Sequence, residues 1–209
     1  MKNRKLTIKK GFTLVEMIVA IGLFTVTLFI SSSAFLAVLD ADRKSRATRI
    51  AMDNLNLSLE DMSRRIKTGK DYNCGGGVFG TADCPVLPGG SALAITDQSG
   101  DRIIYKRGMG ATPVIPGNGV SGCGSALYTS PSQGCIIRDK NGIALRVTGP
   151  DVDITDLRFV VTGSTVWTPG GGGDTAQPYV TVLIGGTTLG KITTAFKIQT
   201  MATQRAYDI

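Results

Sequence analysis

Hydrophobic and polar positions divide this chain into three regimes. From Phe12 to Leu39 only Glu16 is charged, and most residues are apolar. As helix, that run is roughly 42 Å long at 1.5 Å per residue, against roughly 30 Å for a bilayer core. From Asp40 to Lys70 charges return, proline is absent and the first glycine is Gly69. Thr48, Met52, Leu55, Leu59, Met62 and Ile66 recur there at spacings of four and three, which is a helical stripe. Arg43, Lys44, Arg46, Arg49, Arg64 and Arg65 fall largely on other faces. The pattern predicts one helix from Phe12 to Thr68, roughly 85 Å long. Its first half suits a membrane or an apolar bundle, and its second half packs its stripe on the chain's own β-sheet. Ser31–Ser33 is a soft point, where hydroxyls can bond back to the helix.

Beyond Lys70 the helical period disappears. Asp71–Gly90, rich in glycine with two cysteines, reads as an irregular loop. Ser91–Ile95 is a weak strand, Asp97–Gly100 a turn and Asp101–Arg107 a strand. Gly108–Ser132 is loop-rich. Cys135–Arg138 and Ile143–Val147 form a hairpin around Asp139–Gly142, where Asn141-Gly142 is a strong turn signal. Ile154–Thr162 and Tyr179–Ile184 are further strands, separated by a flexible Pro169–Asp174 connection. Ala195–Arg205 begins as a strand and ends in a polar tail. A long helix followed by antiparallel strands is an α+β arrangement. The expected divisions are a basic leader (residues 1–11), an apolar helix (12–39), its amphipathic continuation (40–70) and a β-rich globular head (71–209).

Charge changes this picture little. The chain carries 23 basic and 16 acidic residues, but Lys2, Arg4, Lys5, Lys9 and Lys10 all lie in the leader. Without the leader 18 basic residues face 16 acidic ones, so the high pI gives no ground for nucleic-acid binding. The basic leader keeps its end cytoplasmic by the positive-inside tendency. No histidine occurs, which removes the commonest general base and metal ligand. Cys74, Cys84, Cys123 and Cys135 form no C-x-x-C pair, so zinc and thioredoxin-like readings are weak. In an exported domain they suit two disulfides. Of three connectivities, Cys74–Cys84 with Cys123–Cys135 is favoured, because each closes a short Gly/Pro-rich loop; free buried thiols are the alternative.

Glu16 is the anomaly. A carboxylate in a membrane-length segment costs a few kcal/mol unless it is partnered. A secretory signal cleaved near Ser31–Ala34 leaves it unexplained, and the apolar run exceeds the usual 7–15 residues of a signal core. A plain uncleaved anchor, with Glu16 snorkelling to the interface, would make the chain a membrane-tethered binding module.

Lys10-Gly11-Phe12-Thr13-Leu14-Val15-Glu16 resembles the processing site of type IV pilins and of the pseudopilins of type II secretion systems. The resemblance implies that a prepilin peptidase cuts after Gly11 and methylates the new N-terminus on Phe12. It implies that Glu16 is an assembly residue, pairing across subunits with the Phe12 amine. It further implies a lollipop-like fold, a single-pass inner-membrane precursor with an extracytoplasmic head, and assembly with other subunits on an inner-membrane platform. Leu157-Arg158-Phe159 to Gln177-Pro178, with the Gln199–Arg205 tail, resembles the larger minor subunits, the J-class pseudopilins and W-type minor pilins.

Other chemistry has weak support. Asp151, Asp153 and Asp156 form an acidic cluster, but their spacing fits no EF-hand; calcium is possible, and turn capping or strand-edge charge is the better reading. Gly170–Gly173 lacks the lysine of a P-loop and reads as a linker. Trp167 is expected in the core, with a partner contact as the alternative. No catalytic, cofactor or metal site is expected, and no enzyme activity.

Overall fold

The structure is a computed structural model. It describes residues 11–75, 79–110, 122–124, 132–165, 177–189 and 193–205. Trp167 and the Gly170–Gly173 linker lie outside the described residues. The chain divides into two compact units, Met1–Lys44 and Ser45–Ile209. Helix α1 spans Leu14–Thr68 without interruption, and Ser31–Ser33 are helical within it.

In the first unit, the helix buries none of its large side chains. Every large apolar residue from Phe12 to Val38 is exposed. The hydroxyls in this stretch bond back to the helix. Thr25 Oγ1 donates to the Gly22 carbonyl at 2.8 Å, Thr27 Oγ1 to Phe24 at 2.8 Å and Ser33 Oγ to Ile30 at 2.9 Å. Such bonds leave no hydroxyl of these three residues unsatisfied in an apolar surround.

In the second unit, α1 packs one face into a β-rich core. Ala51, Leu55, Ser58, Met62 and Ile66 are the buried positions, at spacings of three and four. Met52 and Leu59 of the sequence stripe flank this face half-buried, so the stripe sits about one position from where the periodicity placed its centre. The helix ends where Gly69 allows the chain to turn against the sheet. A Cβ at Gly69 would lie 2.8 Å from the Arg65 carbonyl oxygen and 3.0 Å from that of Thr96. Arg65 and Lys67 in the last turn complement the helix dipole. Tyr72, fully buried, places its hydroxyl 2.6 and 2.7 Å from the carbonyl oxygens of Ile66 and Gly69, so its one proton is shared between two acceptors at the helix end.

The strands are β1 (Lys70–Asn73), β2 (Ala92–Thr96), β3 (Arg102–Met109), β4 (Gly134–Lys140), β5 (Ile143–Arg146), β6 (Val152–Thr162), β7 (Tyr179–Thr188) and β8 (Ala195–Thr203). Among the described residues they make two antiparallel sheets rather than one, β1-β2-β3-β4-β5 and β6-β7-β8. Residues from α1 and both sheets meet in one cluster, including Leu55, Met62, Ile95, Tyr105, Ile136, Ile154, Phe159, Val182 and Phe196. The expected Asp71–Gly90 loop needs correction. Its first residues belong to β1, which pairs with β2 across an irregular register and carries Asp71 at φ 56°. That short, bulged edge strand offers no alternating pattern to read. Between β4 and β5 the turn is tighter than expected, with Asn141 and Gly142 both at positive φ, 52° and 85°, as a two-residue type I′ hairpin requires.

The segment before β2 ties the sheets together. Gly90 and Phe159 exchange both backbone hydrogen bonds, at 2.8 and 2.9 Å, and Cys84 bridges Val161. A Cβ at Gly90 would fall 1.9 Å from the Cys74 carbonyl oxygen, so only glycine fits this junction.

Candidate processing site and the head charge network

At the N-terminus of α1, Thr13 is the cap. Its Oγ1 accepts from the Glu16 amide at 3.3 Å, and its carbonyl accepts from Met17 at 3.2 Å. Thr13-x-x-Glu16 therefore has the spacing of a capping box with only its threonine half formed. Glu16 lies in the first turn, where a carboxylate gains from the helix dipole. The T-x-x-E spacing is a helix-start signal that the sequence carries here beside the assembly role that the resemblance implies for Glu16. No hydrogen bond or ion pair reaches the Glu16 carboxylate among the described residues, so the helix end accounts for its position but leaves its charge unpartnered.

Gly11 and Phe12 precede this cap in the open. Phe12 is 79% exposed. A Cβ at Gly11 would meet nothing within 4 Å, so the fold itself places no demand for glycine there. The three residues named from the sequence, Gly11, Phe12 and Glu16, thus share one exposed helix start.

Residues 7–32 match the family model of the prokaryotic N-terminal methylation motif. No curated protein and no solved structure matches the chain. The motif contains Gly11, Phe12 and Glu16. It supports a type IV pilin-like kinship and implies a prepilin-peptidase substrate of pilin or pseudopilin type that assembles with other pilin subunits. Those proteins are structural rather than enzymatic. With the apolar helix, the motif also suggests inner-membrane anchoring.

In the head, Cys74 is bonded to Cys84 and Cys123 to Cys135. The first bond holds the segment that bridges the two sheets, beside the Cys84–Val161 pairing. The acidic cluster does not converge. Asp153 Oδ1 accepts the Gly134 amide at 2.7 Å, and Asp156 pairs with Arg158 at 2.9 Å. Among the described residues no group of three or more His, Cys, Asp or Glu is placed to hold a metal ion.

A different acid organises the head, and sequence reading missed it. Asp61 of α1 faces the five-stranded sheet. Its Oδ1 accepts from Arg65 Nε at 3.0 Å, and its Oδ2 accepts from the Tyr105 hydroxyl at 3.0 Å and from Arg138 Nη1 at 2.9 Å. Burial alone would raise the Asp61 pKa. The Tyr105 hydrogen bond, the Arg138 charge and the bonds from Arg138 and Arg65 outweigh it, and the carboxyl lies below its ordinary value. Tyr105, buried and beside that carboxylate, is pushed far up and stays a hydroxyl donor. The network continues through Arg65 to Asp97 at 3.8 Å, and through Asp97 to Lys140 at 3.7 Å. Lys140 then pairs with Asp101 at 2.6 Å, and its hydrogen bond, with that of Asn141, holds the Asp101 carboxyl low. The i,i+4 spacing of Asp61 and Arg65 is visible in the sequence. Its partners on β3 and β4 are not.

Proposed function

We propose that this chain is a minor structural subunit of a type IV pilus or type II secretion-like filament, cut between Gly11 and Phe12, methylated on Phe12 and assembled through α1. One observation carries the reading. A cleavage-motif glycine that the fold does not need stands immediately before a helix whose large apolar residues from Phe12 to Val38 are all exposed. The glycine fits the demand of an external peptidase. The bare apolar helix fits lipid before assembly and other helices afterwards.

Cleavage supplies what Glu16 lacks. The new amine on Phe12 is cationic, and it lies four residues from Glu16 in the chain. In a low-dielectric bundle, Glu16 of one subunit and the amine of the next form a charge pair, whereas an isolated carboxylate is penalised. That pair sets helix register. The precursor is a single-pass inner-membrane protein with its head outside the cytoplasm, handled by the peptidase-methylase and then by the assembly platform.

Mass spectrometry of the N-terminus of the native protein tests this. A methylated Phe12 is the expected result. A chain retaining Met1 is a permanent anchor, and a chain starting near Ala34 is a secreted protein; either result ends the filament reading.

A further inference from the structure

The sheet face that carries α1 is wider than the helix covering it. Ile103, Tyr105 and Ile136 are buried under the helix. On the same face Leu145 pairs with Arg138, and Ile143 with Lys140, yet these two residues of β5 are 54% and 69% exposed. Across from them on α1, Leu57 is 68% exposed. An open groove of about 370 Å³ runs between, with Leu57, Asp61 and Arg64 on one wall and Arg138, Leu145 and Val147 on the other.

The groove carries a cationic surplus. Arg64, Arg138 and Arg146 line it against Glu60 and Asp61, and Arg65 holds the far side of Asp61. Arg64 makes no ion pair among the described residues. Arg138 keeps a buried Nε–H without a hydrogen-bond partner there. Apolar walls with surplus guanidinium charge fit a segment of apolar and acidic side chains. A helix laid beside α1 would complete the helical layer over β5, with apolar residues one turn apart on Leu57, Leu145 and Ile143 and a carboxylate on Arg64. The chain's own α1 is a poor occupant. From Ser45 to Thr68 it carries Arg46, Arg49, Arg64, Arg65 and Lys67 against Asp53, Glu60 and Asp61, so it is itself cationic.

We propose that this groove docks an acidic amphipathic helix of a neighbouring, non-identical filament subunit. The proposal rests on the filament reading above and adds which face of the head selects the neighbour. The test uses the full chain in its own cells, with the photo-crosslinker p-benzoylphenylalanine in place of Leu145. Mass spectrometry identifies the crosslinked peptide and, in the same sample, the N-terminus. The expected product joins position 145 to an acidic, apolar helical peptide of another subunit bearing a prepilin-type N-terminus. Adding Arg64→Glu lowers the yield about tenfold, because it turns an attraction to the incoming carboxylate into a like-charge repulsion, and Arg64→Lys restores most of it. Retention of both disulfides and of protease resistance shows that each variant has folded. A crosslink only to a second copy, only within the chain or to no protein overturns the docking proposal. With Phe12 methylated in that sample, the filament reading survives such a failure. A retained Met1 overturns both.

Discussion

Replacing Asp61 by asparagine keeps the side-chain shape and removes the charge on which Arg65, Tyr105 and Arg138 converge. A hydrogen bond to a charged group contributes about 1.5–3 kcal/mol, and an unsatisfied buried donor costs about 1–3 kcal/mol. Tyr105 is fully buried, but the side chains of Arg65 and Arg138 keep 26% and 23% exposure and recover some hydration. Screening at such a partly exposed site lowers the ion-pair share. We expect a loss of about 2 kcal/mol, a fall of about 4–8 °C in Tm for a head of this size. The assay is thermal unfolding of the oxidised full chain in detergent micelles, followed by near-ultraviolet circular dichroism. It is repeated from pH 7 downwards. The folded Asp61 carboxyl titrates below its unfolded value near 4. Its contribution is therefore complete above that unfolded value and is lost as pH falls through the lower folded one. Asp101, also held low, titrates in both proteins, so the difference between them isolates Asp61. The stability gap should accordingly close as the pH drops below about 4. A variant within about 0.5 kcal/mol of the parent at pH 7, the ordinary range for an unremarkable surface change, or a gap independent of pH, would refute the assignment of Asp61 as the tie between helix and sheet.

Three further substitutions probe other levels. Gly11→Ala should leave the head's Tm unchanged, because its Cβ has open space, yet yield unprocessed precursor by N-terminal mass spectrometry. Glu16→Val should be processed and methylated normally but fail to enter filaments, as followed by sedimentation of sheared surface material; normal filament incorporation would remove the proposed charge pair. Leu55→Ala, which empties a fully buried position on α1, should cost about 2–5 kcal/mol in urea unfolding.

The local features of this protein were largely readable along the chain. The α-helix from the cap at Thr13 to Thr68, the Asn141-Gly142 hairpin and the long strands β3, β6 and β7 each follow from periodicity or turn chemistry, which act over a few residues. Strand β7 runs four residues past its expected end, through Gly185 and Gly186, because pairing with β6 and β8 on both sides carries residues of poor intrinsic strand preference. Strand β1 was missed for the same reason in reverse: four residues with a bulge acquire strand geometry only from their neighbour β2.

The candidate processing site is local as well. Gly11, Phe12 and Glu16 lie within six consecutive residues, so the motif that contains them is read from local sequence. By itself, then, the sequence determined the apolar helix, the match to the N-terminal methylation motif and the α+β class. Only the tertiary structure decided that the strands divide into two sheets, that Gly90 must be glycine where the Cys74 carbonyl crosses it, and that Asp61 rather than the aspartates near 151–156 gathers charged partners. The last of these depends on residues 44 and 77 positions from Asp61 arriving within hydrogen-bond distance, and no short-range pattern encodes that meeting.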